Sequence, residues 1–533
     1  MPSNLNLRLS ANGFILLTAL FISLFLNFSF YSHAVALYSM TAENLLFLFA
    51  IFFFQLLITT LFLTLFGFRP VLRPLLIVLL ILSSAMAYFM DRFGILINED
   101  MIRNVVQTQV SEASDLFTFK LVLYVFLLGL LPGWILYRST DVRYAFKAEL
   151  ISRIKLILIT LTLLILTIFI FYKPFASFFR EHKTVRFYSN PIYPVYSLVK
   201  FGHSQLKSAR QPLQPLGTDA RIVKTTGNRK LVIFVVGETA RADHFALNGY
   251  TRNTTPLLSK EKLFNFKHMT SCGTSTAISV PCMFSILGVD DFSNADADAT
   301  ENVLDILNRA GVNVLWRDNN SSSKGVAERI TQQNYRSPDS NTICDTECRD
   351  IGMLADLQDY IDSKQDGDIL IVLHSMGNHG PAYYKRYTSD FEVFKPSCKT
   401  AQLEDCPLQD IINAYDNAIV YTDYFLSQTI QFLKQNSDDF ETSLMYASDH
   451  GESLGENGVF LHGLPNFIAP EAQTRVPGFL WFSDNFQNLD IPAITRKTGS
   501  ELSHDNLFHT LLGLFEVQTS VYDKSSDILA ADE

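Results

Sequence analysis

Apolar runs in the second half of the chain end in side chains that bind metals. Leu231–Val236 runs into Gly237-Glu238-Thr239, Ile369–Leu373 into His374 and then Gly377-Asn378-His379-Gly380-Pro381, and Ser443–Ala447 into Ser448-Asp449-His450-Gly451-Glu452. His462, in Leu461-His462-Gly463, comes twelve residues after His450. Carboxylate oxygen combined with imidazole nitrogen suits zinc, and manganese less tightly. Glu238, Asp449, His450, His379 and His462 therefore form a candidate metal centre, with His374 and, at a greater remove, His268 near the same segments. A nucleophile to accompany it appears in Thr270-Ser271-Cys272-Gly273-Thr274-Ser275-Thr276-Ala277-Ile278-Ser279-Val280-Pro281, where small hydroxyl residues and glycine precede an apolar run ending near Leu287. That is the pattern of a helix N-terminus, whose unpaired N–H groups and dipole favour an anion such as phosphate. A hydroxyl is a weak nucleophile until a metal or a base removes its proton. Spacing alone leaves Thr274, Ser275 and Thr276 equivalent.

Bringing such groups together requires strands that end on one rim. Leu231–Val236, Val312–Trp316, Ile369–Leu373, Ser443–Ala447 and Gly478–Phe482 read as buried strands, with Glu301–Ala310, Gly352–Ser363 and Ile411–Gln435 as helices between them. This alternation predicts a mostly parallel central sheet covered by helices on both faces, an α/β/α sandwich, with ligands beyond the carboxyl ends of the strands.

The first part of the chain answers to a different solvent. Of 533 residues 48 % are apolar and 44 are Phe, too greasy for disorder. Residues 1–175 carry 12 Lys and Arg against 8 Asp and Glu, and the remaining 31 basic and 45 acidic residues make the rest acidic. An acidic domain is a poor nucleic-acid surface, so no nucleic-acid partner is expected. Five charge-free stretches, Gly13–Tyr31, Leu45–Phe66, Pro74–Met90, Leu121–Tyr137 and Leu156–Tyr172, are long enough to cross about 30 Å of hydrocarbon. The first reads as a retained anchor, since no small-residue cleavage site follows it. Eight Lys and Arg precede span one or lie between spans two and three and spans four and five, against Arg92, Arg103 and Lys120 in the opposite loops. The N-terminus is therefore expected in the cytoplasm and everything after Tyr172 outside it. The six cysteines agree, since all lie beyond residue 270 and disulfides persist outside the cytoplasm. Sequential pairing, Cys272–Cys282, Cys344–Cys348 and Cys398–Cys406, is the simplest of 15 connectivities, with a zinc site at Cys344 and Cys348 as the rival.

Between spans three and four, Asn104, Thr108 and Glu112 recur on one helix face, which spacing alone assigns to solvent. Phe175–Phe201 mixes aromatics with Arg180, Lys183, Arg186 and Lys200, as a headgroup-level segment does, and Gln211–Lys230 reads as extended chain. The expected domains are 1–173, a five-span transmembrane domain; 174–230, an interfacial and extended linker; and 231–533, a periplasmic catalytic domain.

Four motifs carry a resemblance: Val236-Gly237-Glu238-Thr239-Ala240-Arg241, Ser271-Cys272-Gly273-Thr274-Ser275-Thr276, Asn378-His379-Gly380-Pro381, and Ser448-Asp449-His450-Gly451-Glu452-Ser453-Leu454-Gly455-Glu456-Asn457-Gly458. With the spans, the linker and the cysteine pattern, they resemble the lipid A phosphoethanolamine transferases, including the mobilised colistin-resistance enzymes, which are membrane members of the sulfatase and alkaline phosphatase superfamily. The resemblance covers essentially the whole chain. It implies Thr276 as nucleophile, with Glu238, Thr276, Asp449 and His450 holding one zinc tightly. His379, His462 and Glu452 match residues that bind the phosphoryl group or a second zinc. Asn320 and Lys324, in Arg317-Asp318-Asn319-Asn320-Ser321-Ser322-Ser323-Lys324, match a substrate-binding segment. Asn104, Thr108 and Glu112 match residues that engage the lipid headgroup, which reverses the solvated-face reading.

The implied reaction moves phosphoethanolamine from phosphatidylethanolamine to a lipid A phosphate through a phosphoethanolamine–Thr276 intermediate, giving polymyxin resistance. The implied setting is a monomer in a Gram-negative inner membrane. Sulfatase formylglycine chemistry is excluded, because Thr276 is followed by Ala277 and Ile278. Lipoteichoic acid synthases share five spans and a Thr nucleophile, but the cysteine pairs and the Ser-Cys-Gly-Thr-Ser-Thr context resemble the Gram-negative enzymes. Transfer to a core sugar or a periplasmic glucan, a membrane phosphatase or phosphodiesterase, and a non-catalytic sensor stand as alternatives.

Overall fold

The computed structural model describes residues 8–66, 71–108, 110–141, 145–182, 184–208, 211–223 and 227–531; Arg69 and Arg143, which enter the charge count above, lie outside them. The chain divides into two compact units, Met1–Ile102 with Phe117–Phe201, and Arg103–Leu116 with Gly202–Glu533.

The first unit is helical. Among the described residues four helices are long and apolar enough to cross a membrane: Ala42–Leu65, Leu72–Phe93, Phe119–Arg138 and Phe146–Ile170. The expected first span is not one straight helix. Ala11–Phe25 and Phe28–Ala36 meet at a bend of 52°, so the count is four, or five when the bent pair makes one crossing. The break is built from amides. Asn27 Nδ2 donates to the carbonyls of Ile22 (3.0 Å) and Asn190 (2.8 Å), and Asn190 Nδ2 donates to the carbonyls of Leu26 (3.0 Å) and Ser83 (2.8 Å). Gln55 and Ser189 extend the network. Asp91 accepts from the N–H and hydroxyl of Ser29, at the start of the second half-helix, and from Tyr124. A helix interrupted in apolar surroundings must have its freed carbonyls re-satisfied, and these side chains do so. A π-helical turn, Phe126–Leu130, marks the third of these long helices just before Pro132, whose missing N–H and bulky ring disturb the ordinary ladder.

The second unit is built on an eight-stranded sheet. In chain order its strands are β1 (Arg229–Gly237), β2 (Leu263–Thr270), β3 (Asn313–Asp318), β4 (Thr331–Asn334), β5 (Ile369–His374), β6 (Phe440–Ser448), β7 (Arg475–Phe482) and β8 (Glu501–Ser503). Their spatial order is β8-β2-β7-β6-β1-β5-β3-β4, and only β7 runs against its neighbours. Along β1, Val232, Phe234 and Val236 pack on one face with Val280, Met283 and Trp316, while Leu231, Ile233 and Val235 pack on the other with Ile419, Phe425 and Leu426. Both faces are buried, as the unbroken apolar runs of the central strands require.

The five expected strands are present, each longer by one to four residues. Three further strands, β2, β4 and β8, escaped the sequence reading because they sit toward the edges and carry polar residues. The expected helix Gly352–Ser363 is two pieces, a 3-10 turn Asp350–Leu354 and a helix Leu357–Asp362, parted at Asp356 with φ 53°. The cysteines form the three sequential disulfides, which removes the zinc reading for Cys344 and Cys348.

Asn190→Ala should destabilise the first unit by about 1–3 kcal/mol, because buried carbonyls at the helix break lose their donors. Thermal unfolding of the full chain in detergent measures this; an unchanged midpoint would mean that the break is satisfied otherwise.

Candidate active site

Strand register assembles the site. Gly237 pairs with Ser448, and Val236 and Asp318 both pair with His374, so the carboxyl ends of β1, β6, β5 and β3 lie level. Glu238, Asp449 and His450, Ser375, and Asn319 and Asn320 emerge together from that rim. Thr239, immediately after Glu238, takes φ 57°, a strained conformation for a β-branched residue. It is pinned on three sides: its N–H donates to Asp449 Oδ1 (3.0 Å), its hydroxyl to Glu238, and its carbonyl accepts from Tyr415 (2.7 Å). Gly377, with φ 51°, passes so close that a Cβ would lie 2.7 Å from the Glu238 carbonyl oxygen.

Thr276 is the first residue of the helix Thr276–Phe284, which follows Ser275 as N-cap. Its hydroxyl lies 3.1 and 3.3 Å from the two carboxylate oxygens of Glu238 and 3.4 Å from His450 Nε2. His450 Nε2 in turn lies 3.5 Å from Glu238 and 3.4 Å from Asp449 Oδ2. Glu238, Asp449 and His450 are fully buried, and their ligand atoms fall within 4.8 Å of one another. A tetrahedron with bonds of about 2.0–2.2 Å has edges of about 3.3–3.6 Å, so these separations fit four ligands on one zinc.

The protonation pattern fits as well. The Gly451 carbonyl, 2.8 Å from His450 Nδ1, can only accept, so Nδ1 carries the proton and the Nε2 lone pair faces two carboxylates. Burial and the neighbouring His462 hold the His450 imidazole down at about 3, and so neutral. Burial and the Glu238 carboxylate push the Asp449 carboxyl well above its ordinary range, and Asp449 Oδ2 has no hydrogen-bond partner. Two buried carboxylates and an imidazole lone pair this close cannot all stay unprotonated on their own, and a bound cation in place of the Asp449 proton would relieve them.

Beside this group, His462 Nδ1 lies 2.8 Å from Glu452, whose other oxygen accepts from Tyr383 (2.6 Å). The His462 ring lies 4.3 Å from that of His450 and 5.7 Å from that of His379. His379 Nδ1 is buried without a hydrogen-bond partner, and its carbonyl accepts from Arg386 (2.6 Å). Asn320 donates to Glu238 (2.7 Å) and to the Ser375 carbonyl (2.9 Å), so its amide orients the carboxylate. Lys324, with φ 51°, donates to Ser321 and lines a cavity of about 370 Å³ together with Ala277 and Arg103.

Other residues fall elsewhere. Asn104 lies on the helix Glu99–Gln107 and Thr108 just past its end, where the Thr108 hydroxyl donates to the Asn104 carbonyl. The helix stops there, so the single face expected through Glu112 is interrupted; Glu112 belongs to a second helix, Val110–Leu116, and its side chain lies outside the described residues. Among the described residues neither Asn104 nor Thr108 hydrogen bonds to the Thr276 group. His268 sits on β2 against Arg475 and Glu501, away from the rim, and His374 packs edge-on to Trp316. Sequence reading missed Tyr383, Thr239 and His504. The fully buried His504 accepts from the Cys272 N–H at Nδ1 (3.2 Å), and its Nε2 lies 2.9 Å from the Ser448 carbonyl, so in its neutral form it ties the loop before Thr276 to β6.

Residues 230–517 match the family model described as Sulfatase, and residues 55–206 that described as Phosphoethanolamine transferase EptA/EptB. The chain is 45 % identical over 527 residues to the phosphatidylethanolamine transferase Mcr-2 of Escherichia coli, covering 96 % of either chain. It is 38 % identical over 534 residues to the phosphoethanolamine transferase EptA of Escherichia coli strain K12, covering 97 % of this chain and 96 % of that one. Among solved structures it is similar to the integral membrane protein lipooligosaccharide phosphoethanolamine transferase A of Neisseria meningitidis, with 34 % identity, a TM-score of 0.94, and coverage of 98 % of this chain and 99 % of that one.

Two outcomes are expected. Asp449→Asn and His450→Ala should each lose bound zinc by elemental analysis while keeping their far-ultraviolet spectrum; wild-type zinc content would put the metal elsewhere. Burial lowers the His504 imidazole to about 4, against an ordinary value of about 6.5. The unfolded chain then takes up a proton between those values that the folded chain refuses. His504 therefore stabilises fully above about pH 6.5, and this contribution is lost as pH falls toward about 4. His504→Gln should flatten that part of the acid-unfolding profile, and a profile as steep as wild type would remove His504 from the linkage.

Proposed function

Because the chain belongs to the phosphoethanolamine transferases of the sulfatase superfamily, we propose that it takes phosphoethanolamine from phosphatidylethanolamine and places it on a phosphate of lipid A. The observation that carries this reading is the Thr276 hydroxyl, set at a helix N-terminus and facing Glu238 and His450 at 3.1–3.4 Å. A nucleophile in that position meets the phosphorus of a diester where the helix dipole and exposed N–H groups favour its anionic oxygens.

Glu238, Asp449, His450 and Thr276 are the proposed ligands of one zinc. Zinc held there supplies a lowered hydroxyl pKa and positive charge toward the phosphoryl oxygens. The chain's own residues carry the rest. Thr276 Oγ attacks the phosphorus, and Glu238 Oε2 is the acceptor that its proton already faces. The bond from phosphorus to the diacylglycerol oxygen breaks, and diacylglycerol leaves with a proton. Phosphoethanolamine stays esterified to Thr276 until an oxygen of a lipid A phosphate attacks the same phosphorus and Thr276 regains its hydroxyl. His379 and His462 are proposed to hold the phosphoryl group or a second zinc, with Tyr383 and Glu452 fixing the His462 ring. Lys324 is proposed at the substrate, Asn320 at the substrate through Glu238, and Asn104, Thr108 and Glu112 at the lipid headgroup. The product gains an ammonium, which lowers the negative charge that draws polymyxin to the surface.

The proposed setting follows from loop charge and disulfides. Residues 1–173 cross the inner membrane five times with the N-terminus cytoplasmic, residues 174–230 follow the interface, and residues 231–533 act in the periplasm, the chain working as a monomer.

Thr276→Ala should lower transfer by at least about a thousandfold with the fold intact, since the bond-forming atom is gone. Given labelled phosphatidylethanolamine without acceptor, wild type should gain the mass of one phosphoethanolamine on the peptide that contains Thr276. Mass spectrometry of lipid A from cells expressing the chain should show the same addition. An unmodified lipid A beside a modified core sugar or glucan would reassign the acceptor, and near-normal turnover by Thr276→Ala would remove the covalent step.

A further inference from the structure

The first unit holds a trough of about 310 Å³ between the helices Ala42–Phe66 and Tyr172–Glu181 and the start of the helix Ile192–Ser208. Its walls are aromatic and aliphatic. Phe54 and Ile58 stand on one side, and Phe175 and Phe179 on another, with Phe54 5.3 and 5.5 Å from those two rings. The polar groups on its floor are already used, since Ser189 donates to Gln55 (3.0 Å) within the amide network that fastens the bent helix pair. The cation at its rim is not used. Arg186 is exposed, lies 5.1 Å from its own neighbour's ring at Phe187, and makes no ion pair among the described residues. Tyr193 and Tyr196 stand beside it, one turn apart, with ring centroids 6.0 Å from each other.

An apolar slot that ends in one guanidinium and two phenol rings matches the parts of a phospholipid in order. Hydrocarbon meets the phenylalanines, a singly charged phosphodiester meets Arg186, and an ammonium meets the tyrosine faces. A sugar would need donors and acceptors along the walls, and a lipid A phosphate would need more than one cation. Gln55 and Ser189 on its floor belong to the Asn27–Asn190 network, so those two side chains need not be ordered by a ligand. Resting on the transfer reading above, we propose that this trough is a holding seat for the donor phosphatidylethanolamine before its headgroup moves on to Asn104, Thr108 and Glu112, with one acyl chain against Phe54 and Phe179 and its phosphate at Arg186.

The retention test uses the full-length Thr276→Ala protein in detergent, which cannot take the headgroup covalently, titrated with phosphatidylethanolamine or phosphatidylglycerol and read by native mass spectrometry. One phosphatidylethanolamine per chain should persist after loosely held lipid is stripped. Ile58→Trp, which fills the trough, should weaken retention about tenfold, and Arg186→Gln, a surface change that leaves the packing alone, about fivefold. In transfer assays Ile58→Trp should raise the KM for the donor about tenfold with kcat within about twofold. Undiminished retention by both variants, or retention of phosphatidylglycerol equal to that of phosphatidylethanolamine, would overturn the seat. Retention is measured without turnover, so a wrong acceptor would appear as missing lipid A product while the retention pattern still supports the seat.

Discussion

Two carboxylates and an imidazole lone pair converge out of reach of water, and the second unit is organised around that concentration of negative charge. Like charges in a buried site raise one another's pKa until something positive separates them. The chain supplies part of the compensation through backbone N–H groups, at Thr239 and His450 for Asp449, and through the Asn320 amide for Glu238. It leaves Asp449 Oδ2 and the His450 lone pair uncompensated, and there the Thr276 hydroxyl arrives. The strained Thr239 and the glycine at 377 follow from the same demand. Two strand ends and a helix start cannot be brought within bonding distance of one point without tight backbone turns beside them.

The parallel core was legible because buried strands in such a sheet are continuous apolar runs. Leu231–Val236 and Ile369–Leu373 have no polar interruption to confuse their reading, and the residues that follow them carry the chemistry. The edges were not legible for the complementary reason. In Leu263–Thr270 polar Asn265, Lys267 and His268 interleave with Phe264 and Phe266, and Thr331–Asn334 is almost wholly exposed, so pairing partners rather than composition make them strands. At the site, the metal-type residues stood out by type and by position after a strand. Tyr383 and His504 did not, because a tyrosine or histidine inside a helix or loop carries no sign of which distant carbonyl or carboxylate it will meet. Asn320 was found in the sequence by its motif, but its bond to Glu238 depends on the β3–β5 register, which no local pattern encodes.

In the membrane unit the reading succeeded on hydropathy and missed the bend. Gly13–Tyr31 is charge-free throughout, and the single asparagine within it looks like a tolerated impurity. Its partner, Asn190, lies 163 residues away and is fully buried, so the pair is invisible to any window along the chain. Once paired, these amides turn a straight span into two half-helices joined to the segment that precedes the second unit.

The disulfide Cys272–Cys282 closes a ring of backbone around Thr276, from the turn before the helix to its second turn. The reactive hydroxyl therefore sits inside a loop whose covalent closure depends on its surroundings and not on its sequence. Under reducing conditions the same residues lack that covalent closure and lead into a short helix that carries a proline. Under oxidising conditions they form a fixed bracket against His504 and β6. The covalent bracket around the Thr276 hydroxyl is in this sense an acquired property of the polypeptide, closed only where its surroundings oxidise the two thiols.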